Sequence, residues 1–491
     1  MTGLGGLRVP RRPADVVFAV LVFVHVVMKA ALFPKARTAP LHGDEVAYMD
    51  SARSIAHAVH AAFGGGSLNL RSLEVNVVGN GWFMPGMSIV LTPLLLVDPH
   101  ASVTAMRIYL GVLTTVLLIV TAFVVRRILG RWYGAGLLLF PGLLPMWLLF
   151  SYTAFGDLAA GLVVVIVVAY LIHLGRHALA GQPPRWSQAA LLGVLLAVTL
   201  YLRSSALPLV GGLLALALLA AVFWLRQRAR VRAVAAVLVA GLVFGVLLAP
   251  WSVLASHVLG GRVVTTSTLP ISEAVAYGDP NRLCFGPCRP TRNIWDEMVQ
   301  YSRQVARATG TNEILVQKQM SNYALSGLSP HRFASSVVAD FHRYSLAPDD
   351  FSAMFDSSTS DPWSTVIRSV SALGYYAVLA LASLSLLLVV RRNPERQMLS
   401  LLVKLAGAAL VLQPFVHISS GRYWPIYAPL MALGAVLLGQ STVRAWRGRT
   451  ASAASTLEDR PGVRRGLVIA QIVSAAGYVA VAVGLAAFAL A

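Results

Sequence analysis

Asp44 and Glu45 stand side by side in the stretch Leu41-His42-Gly43-Asp44-Glu45-Val46-Ala47-Tyr48, shortly after the first strongly apolar run of the chain. Charge beside a membrane helix is costly: at a bilayer centre it costs roughly 2.5–3.5 kcal/mol even on the lenient insertion scale. An acidic pair kept at such a place points to a task, and proton removal is what a carboxylate does best. Asp44 also has a plainer role open to it as a helix N-cap, although a cap needs neither a second acid nor this setting. Asp157 closes the turn Ser151-Tyr152-Thr153-Ala154-Phe155-Gly156-Asp157 and is either a partner of Asp44 or the cap of the next helix. Arg203, in Tyr201-Leu202-Arg203-Ser204-Ser205, and Arg422, in Gly421-Arg422-Tyr423-Trp424-Pro425, each interrupt apolar sequence. Such arginines either snorkel to lipid headgroups or hold a phosphate through both arms of the guanidinium. The cluster Gly79-Asn80-Gly81-Trp82-Phe83-Met84-Pro85-Gly86 is an interfacial turn with an aromatic anchor, or part of the same site.

The elements that must position these residues are membrane helices. Of 491 residues, 57% are hydrophobic and only 12% charged, and the mean hydropathy is +0.70, which excludes a soluble globular protein. The net charge of +20 does not mark a nucleic-acid partner. Its basic residues cluster in short loops between apolar runs, at Arg126, Arg127 and Arg131, at Arg176 and Arg185, at Arg226 to Arg232, at Arg391 to Arg396, and from Arg444 to Arg465. That is the positive-inside pattern of a polytopic protein. The first apolar run follows Arg8, Arg11 and Arg12 without a small-residue cleavage site before Lys35, so it reads as a retained signal-anchor with a cytoplasmic N-terminus.

Threading the basic loops to one side predicts eleven spans, at 15–33, 101–125, 133–150, 158–175, 189–202, 206–225, 233–253, 369–390, 397–416, 423–440 and 467–490. Pro85 to Val97 is too short to cross and is placed as a juxtamembrane or re-entrant helix on the outer face. Of the 20 acidic residues, all but Asp15, Glu395, Glu458 and Asp459 then fall outside. The expected organisation is a transmembrane core over 1–253 with a first outer loop at 34–100, an extracytoplasmic unit of mixed structure over 254–368, and C-terminal membrane helices over 369–491. Asp44 to His60 should form an interfacial helix with Val46, Met49, Ala52, Ile55, Ala56 and Val59 on its apolar stripe. Cys284 and Cys288 lie in the second outer segment as Cys-Phe-Gly-Pro-Cys, where a local disulfide or free thiols are both open. A structural metal would need two more soft ligands than the segment supplies.

Taken in order, these pieces resemble the GT-C glycosyltransferases, in the branch that holds protein O-mannosyltransferases, the lipid A aminoarabinose transferase and related bacterial envelope transferases. The resemblance rests on Gly43-Asp44-Glu45 with Tyr48, the Trp82 to Pro93 segment, the Asp157 turn, Gly193 to Arg203, Ala249-Pro250-Trp251 and Arg422-Tyr423. It implies an all-α polytopic fold and an inverting sugar transfer from a polyprenyl-phosphate sugar to a hydroxyl of an envelope glycan, lipid or protein acceptor. It also implies a multi-pass protein of the cell membrane with its active site on the extracytoplasmic face. The first-loop acid, Asp44, would be the base, with Glu45 and Asp157 as supporting acids. Tyr48, Trp82, Arg203, Arg422 and Tyr423 would contact substrate, and a divalent cation (Mg or Mn) would be a possible cofactor. One departure stands out: many relatives carry a His- or Lys-Pro-Pro-Leu run where this chain has Phe83-Met84-Pro85-Gly86.

Two other classes compete. A transporter or flippase of lipid-linked sugars would place charge at the bilayer midplane and often shows repeated halves. Here the acids gather at the outer face and no repeat is visible, and Lys29 and Lys404 are the visible exceptions to nearly charge-free midspan regions. An envelope glycan polymerase or ligase would also use a large outer loop, but with an arginine-led site rather than a first-loop acidic pair.

Overall fold

The computed structural model describes residues 13–225, 227–289, 294–346, 362–391, 393–416, 423–446 and 461–490. Among them are nineteen α-helices and no strand. In chain order these are α1 (Pro13–Arg37), α2 (Asp44–Phe63), α3 (Leu70–Val78), α4 (Gly86–Val97), α5 (Val103–Ile128), α6 (Arg131–Leu139) and α7 (Pro145–Phe150). Then come α8 (Asp157–Leu179), α9 (Trp186–Leu202), α10 (Leu207–Trp224), α11 (Gln227–Leu259), α12 (Leu269–Tyr277) and α13 (Ile294–Thr309). The chain closes with α14 (Glu313–Leu325), α15 (Pro330–Leu346), α16 (Pro362–Leu387), α17 (Pro394–Val411), α18 (Trp424–Trp446) and α19 (Pro461–Leu490).

Among the described residues, eight helices are long and apolar enough to cross a membrane: α1, α5, α8, α10, α11, α16, α18 and α19. The chain is therefore a multi-pass membrane protein. The other three expected spans also fall on helices, but not on helices of that kind. Residues 133–150 divide into α6 and α7, because Pro141 and Pro145 cannot donate to a continuing helix. The expected span at 189–202 is the 17-residue α9, and that at 397–416 is α17, an 18-residue helix carrying Glu395, Arg396 and Lys404. The segment at Pro85 is the 12-residue α4, about 18 Å long at the helical rise, packed against α2.

α8 and α18 form the centre of the bundle, their apolar side chains mostly buried, while α1, α11 and α19 turn most of theirs outward. Interior packing around α8 is tight enough that Gly161 meets the backbone of Ile426 in α18 where a Cβ would stand. Two buried lysines are satisfied inside this core. Lys29 donates to Thr114 Oγ1 at 2.7 Å, and Lys404 donates to the Leu388 carbonyl and Ser400 Oγ, both at 2.7 Å.

The two ends of the bundle differ in charge. At one end Arg126 pairs with Asp15 at 2.6 Å, Arg176 with Glu395 at 2.7 Å, and Arg464 donates to the Arg391 carbonyl at 3.0 Å. These contacts draw basic loops expected on one side together, with two of the four acids set apart with them, Asp15 and Glu395; the other two, Glu458 and Asp459, lie outside the described residues. At the other end α1, α9, α11, α17 and α19 finish and α8, α10 and α18 begin.

The segment after α11 differs from the mixed structure expected for 254–368: its described residues form α12 to α15 without a strand. The Pro and acidic residues that suggested mixed structure are helix-start residues. Pro270, Pro280 and Pro330 stand in first turns, as do Asp296, Glu297 and Glu313. Proline loses nothing at N1, and carboxylates favour the positive end of the helix dipole. Ile271, Met298, Val316 and Met320 make a small core, closed by a Cys284–Cys288 disulfide with a Cα–Cα separation of 5.0 Å.

Candidate functional site

A cavity of about 1530 Å³ lies at the end of the bundle away from the basic loops. Asp44, Tyr48, Trp82, Arg203 and Tyr423 all line it, so five residues singled out from four distant stretches of sequence converge on one space. Glu45 and Asp157 do not line it, and Arg422 lies outside the described residues.

Asp44 is not the cap of α2. That position belongs to Gly43, and no side chain caps the helix, so Asp44 is the first helical residue and its carboxylate borders the cavity. Its neighbour points the other way. Glu45 is fully buried and grips Arg107 of α5 in a two-armed ion pair, with Arg107 Nη2 2.9 Å from Glu45 Oε2 and Nη1 bonded to Oε1. The same carboxylate accepts the backbone N–H of Ala154 at 2.8 Å and of His42 at 3.1 Å. Arg107 in turn donates to the carbonyls of Pro40 at 3.0 Å and Tyr152 at 3.2 Å. Glu45 is thus committed to holding the α1–α2 link, α5 and the α7–α8 turn together, and it has no oxygen to offer a substrate. The role of supporting acid at the site is corrected to that of a tie beneath it.

The buried face of α2 follows from this tie. It runs through Glu45, Tyr48, Met49, Ala52 and Ala56, while Val46 is exposed. The expected stripe is therefore rotated by the inward pull of Glu45, an inward-facing charge that no apolar periodicity reveals. Arg107 was not singled out from the sequence, yet it left a signal: it is the one charged residue between Val103 and Val125. Ionisable residues inside an apolar span are usually paired.

Asp157 is likewise no cap, since α8 has Gly156 at the cap position and no side-chain cap bond. It is buried, and its Oδ1 lies 2.9 Å from Arg203 Nε. The Arg203 guanidinium also sits over the Tyr423 ring, 4.6 Å from its centroid. A carboxylate on the Nε edge and an aromatic face fix both the position and the plane of the cation. Close backbone approach sets where Arg203 emerges. A Cβ on Gly156 would stand 2.0 Å from the Leu202 carbonyl oxygen, and one on Gly86 would stand 2.2 Å from that of Tyr201. The end of α9 is held between these two glycines.

Aromatic contacts link Asp44 to the α12–α15 unit. Tyr48 packs on Phe83 with centroids 5.3 Å apart, Trp82 lies 6.4 Å from Phe83, and Trp82 meets Trp295 of α13 edge-to-face at 6.1 Å. The 79–84 segment is pinned from above: Ser267 N–H donates to the Gly81 carbonyl and Ser267 Oγ to that of Asn80, both at 2.8 Å. The loop bearing Arg262 and Ser267 folds back along α11, where Trp251 Nε1 donates to the Thr265 carbonyl at 2.6 Å. Leu207, Pro208, Ala408, Leu412, Val416 and Val481 add an apolar wall from α10, from α17 and the turn after it, and from α19. In α12, next to this space, burial pushes the Glu273 carboxyl above its ordinary pKa.

No group of three or more His, Cys, Asp or Glu side chains stands together as a metal site among the described residues. Asp44 is the one carboxylate lining the cavity there, and Asp157 is turned to Arg203. Among the described residues the cavity wall thus presents a single carboxylate that could ligate a cation.

The architecture is that of a multi-pass helical membrane protein with a polar-rimmed cavity at one end. No protein-family model matches the chain, and no curated protein matches it.

Proposed function

We propose that the chain is an inverting glycosyltransferase of the GT-C type, which moves a sugar from a polyprenyl-phosphate donor to a hydroxyl of an envelope glycan, lipid or protein. The observation that carries this reading is the shared cavity: Asp44 and Arg203 border one space that also has a long apolar wall. A carboxylate, a fixed guanidinium and an apolar surface are what such a reaction asks of a protein. The basic end of the bundle faces the cytoplasm by the positive-inside rule, so the cavity opens to the extracytoplasmic side of the cell membrane.

In this mechanism the Asp44 carboxylate takes the proton of the acceptor hydroxyl as its oxygen attacks the anomeric carbon. The bond from that carbon to the phosphate oxygen breaks on the opposite face, and the electron pair leaves with the polyprenyl phosphate. Configuration is inverted once. Base assistance of this kind is worth roughly 10²–10⁴ in rate. Phosphate leaves without strong acid help, and what aids it is positive charge aimed at its oxygens. Arg203 supplies that charge, and Asp157 and Tyr423 set its direction. Polyprenyl carbon packs on the apolar wall.

Asp44→Asn tests the base. Because the side chain is not the helix cap, the variant keeps its fold and should lose at least about 10²-fold in transfer, the low end expected for a general base. The assay follows radiolabel from polyprenyl-phosphate hexoses and pentoses into membrane acceptors. An Asn variant that retains most of the transfer overturns the assignment.

A further inference from the structure

The end of the cavity nearest α13 and α14 carries charge that the transfer chemistry does not use. Arg262, on the loop after α11, and Lys318, on α14, both line it. Both are exposed, and neither makes a salt bridge or side-chain hydrogen bond among the described residues. Arg203 differs, since Asp157 already balances it. Asp44 is the one carboxylate among the described residues on the wall, so among those residues neither of these two cations has a paired counter-charge.

The same end is aromatic. Trp82 and Trp295 stand edge-to-face at 6.1 Å and both border the space, beside the hydroxyl-bearing run Thr265 to Thr268. Indole surfaces take the apolar faces of pyranose rings while hydroxyls and backbone meet their edges. The Tyr48–Phe83–Trp82–Trp295 chain makes this surface continuous with the turn of α2 that bears Asp44. The apolar wall of α10, α17 and α19 comes from other elements, and Arg203 and Tyr423 belong with those.

We infer that the α13–α14 end is the acceptor subsite and that it takes an anionic glycan. A sugar ring rests against Trp82 and Trp295, and a carboxylate or phosphate borne by that glycan is held by Arg262 and Lys318. This inference rests on the glycosyltransferase reading for the word acceptor, but the preference for an anionic sugar stands as a binding property by itself.

Binding to the full chain in lipid nanodiscs tests it without any transfer reaction. Hyaluronan tetrasaccharide is the anionic probe, and its carboxyl-reduced, neutral counterpart is the control of the same size, both followed by titration calorimetry. The anionic probe should bind at least about tenfold more tightly, a difference that charge-assisted hydrogen bonds to two cations readily supply. Arg262→Gln with Lys318→Gln should abolish the difference while leaving the neutral probe unchanged, and Asp44→Asn should preserve it. Undecaprenyl phosphate added to the nanodisc should leave the tetrasaccharide bound. Equal affinity for the two probes, absence of binding by both, an unaltered difference in the double variant, or displacement by undecaprenyl phosphate would each overturn the inference. Because Asp44→Asn transfer is measured separately, loss of charge selectivity with transfer intact sinks this inference alone. Transfer that survives Asp44→Asn sinks the base alone.

Discussion

Arg107 of α5 reaches Glu45 of α2 across 62 residues of sequence, and the two side chains are among the most completely buried charges in the protein. The pair lies one residue behind Asp44, so the acid that faces the cavity is held by one that cannot. Removing one member of a buried ion pair strands the other, typically at about 3–5 kcal/mol. Glu45→Gln should therefore lower the midpoint of thermal unfolding in detergent, and Arg107→Met should do the same. The double variant Glu45→Gln with Arg107→Met should recover part of the loss. Full additivity of the single effects would show that the pair is not coupled.

Asp157 acts on the site through Arg203. Asp157→Asn keeps a hydrogen-bond acceptor beside Arg203 Nε but removes the balancing charge, whereas Arg203→Lys keeps a charge but loses both the Nε contact and the flat stack on Tyr423. Transfer should fall further in Arg203→Lys than in Asp157→Asn, with the apparent KM for the polyprenyl-phosphate donor rising in both. An Arg203→Lys protein with wild-type donor kinetics would remove the cation from the mechanism.

Gly156 is a packing constraint rather than a flexible joint. The Cβ of Gly156→Ala would stand 2.0 Å from the Leu202 carbonyl oxygen, and the three atoms it meets are all Leu202 backbone. Overpacking of this kind costs about 1–3 kcal/mol. Because the clash is one residue from both Asp157 and Arg203, transfer should fall by more than the loss of folded protein explains. Purified Gly156→Ala with normal specific activity would contradict that coupling.

Sidedness is open to direct measurement. A cysteine placed at Lys318 should react with a membrane-impermeant maleimide in intact cells, while one placed at Arg185 should react only after permeabilisation. Both substitutions are made on a Cys284→Ser, Cys288→Ser background, which leaves no other thiol. The reversed labelling pattern would turn the molecule over and place the cavity on the cytoplasmic side.

Much of this organisation was legible in the chain before any coordinates. Composition alone demands a membrane bundle, because a chain with only 12% charged residues cannot build the charged surface of a soluble protein. The distribution of arginines separates two ends, and the contacts of Asp15 with Arg126 and of Glu395 with Arg176 draw those loops together as expected. Asp44, Tyr48, Trp82, Arg203 and Tyr423 stood out by residue type against an apolar background, a strong signal when most neighbours are Leu, Val and Ala.

What the chain did not reveal has a common physical cause: it depends on which residues meet, and periodicity does not record that. Asp44 and Glu45 are adjacent and alike in sequence, and only the position of Arg107 on another helix decides that Glu45 turns inward and Asp44 faces the cavity. Capping stayed open for Asp44 and Asp157 until backbone geometry assigned both caps to glycine. Proline and acids between α12 and α15 read as mixed structure because helix starts and loops share a composition. Residue type and order therefore determined the membrane bundle, its charged end and the candidates for chemistry. Tertiary packing decided which carboxylate borders the cavity and which is buried, because burying a charge requires a partner, and that partner came from 62 residues away.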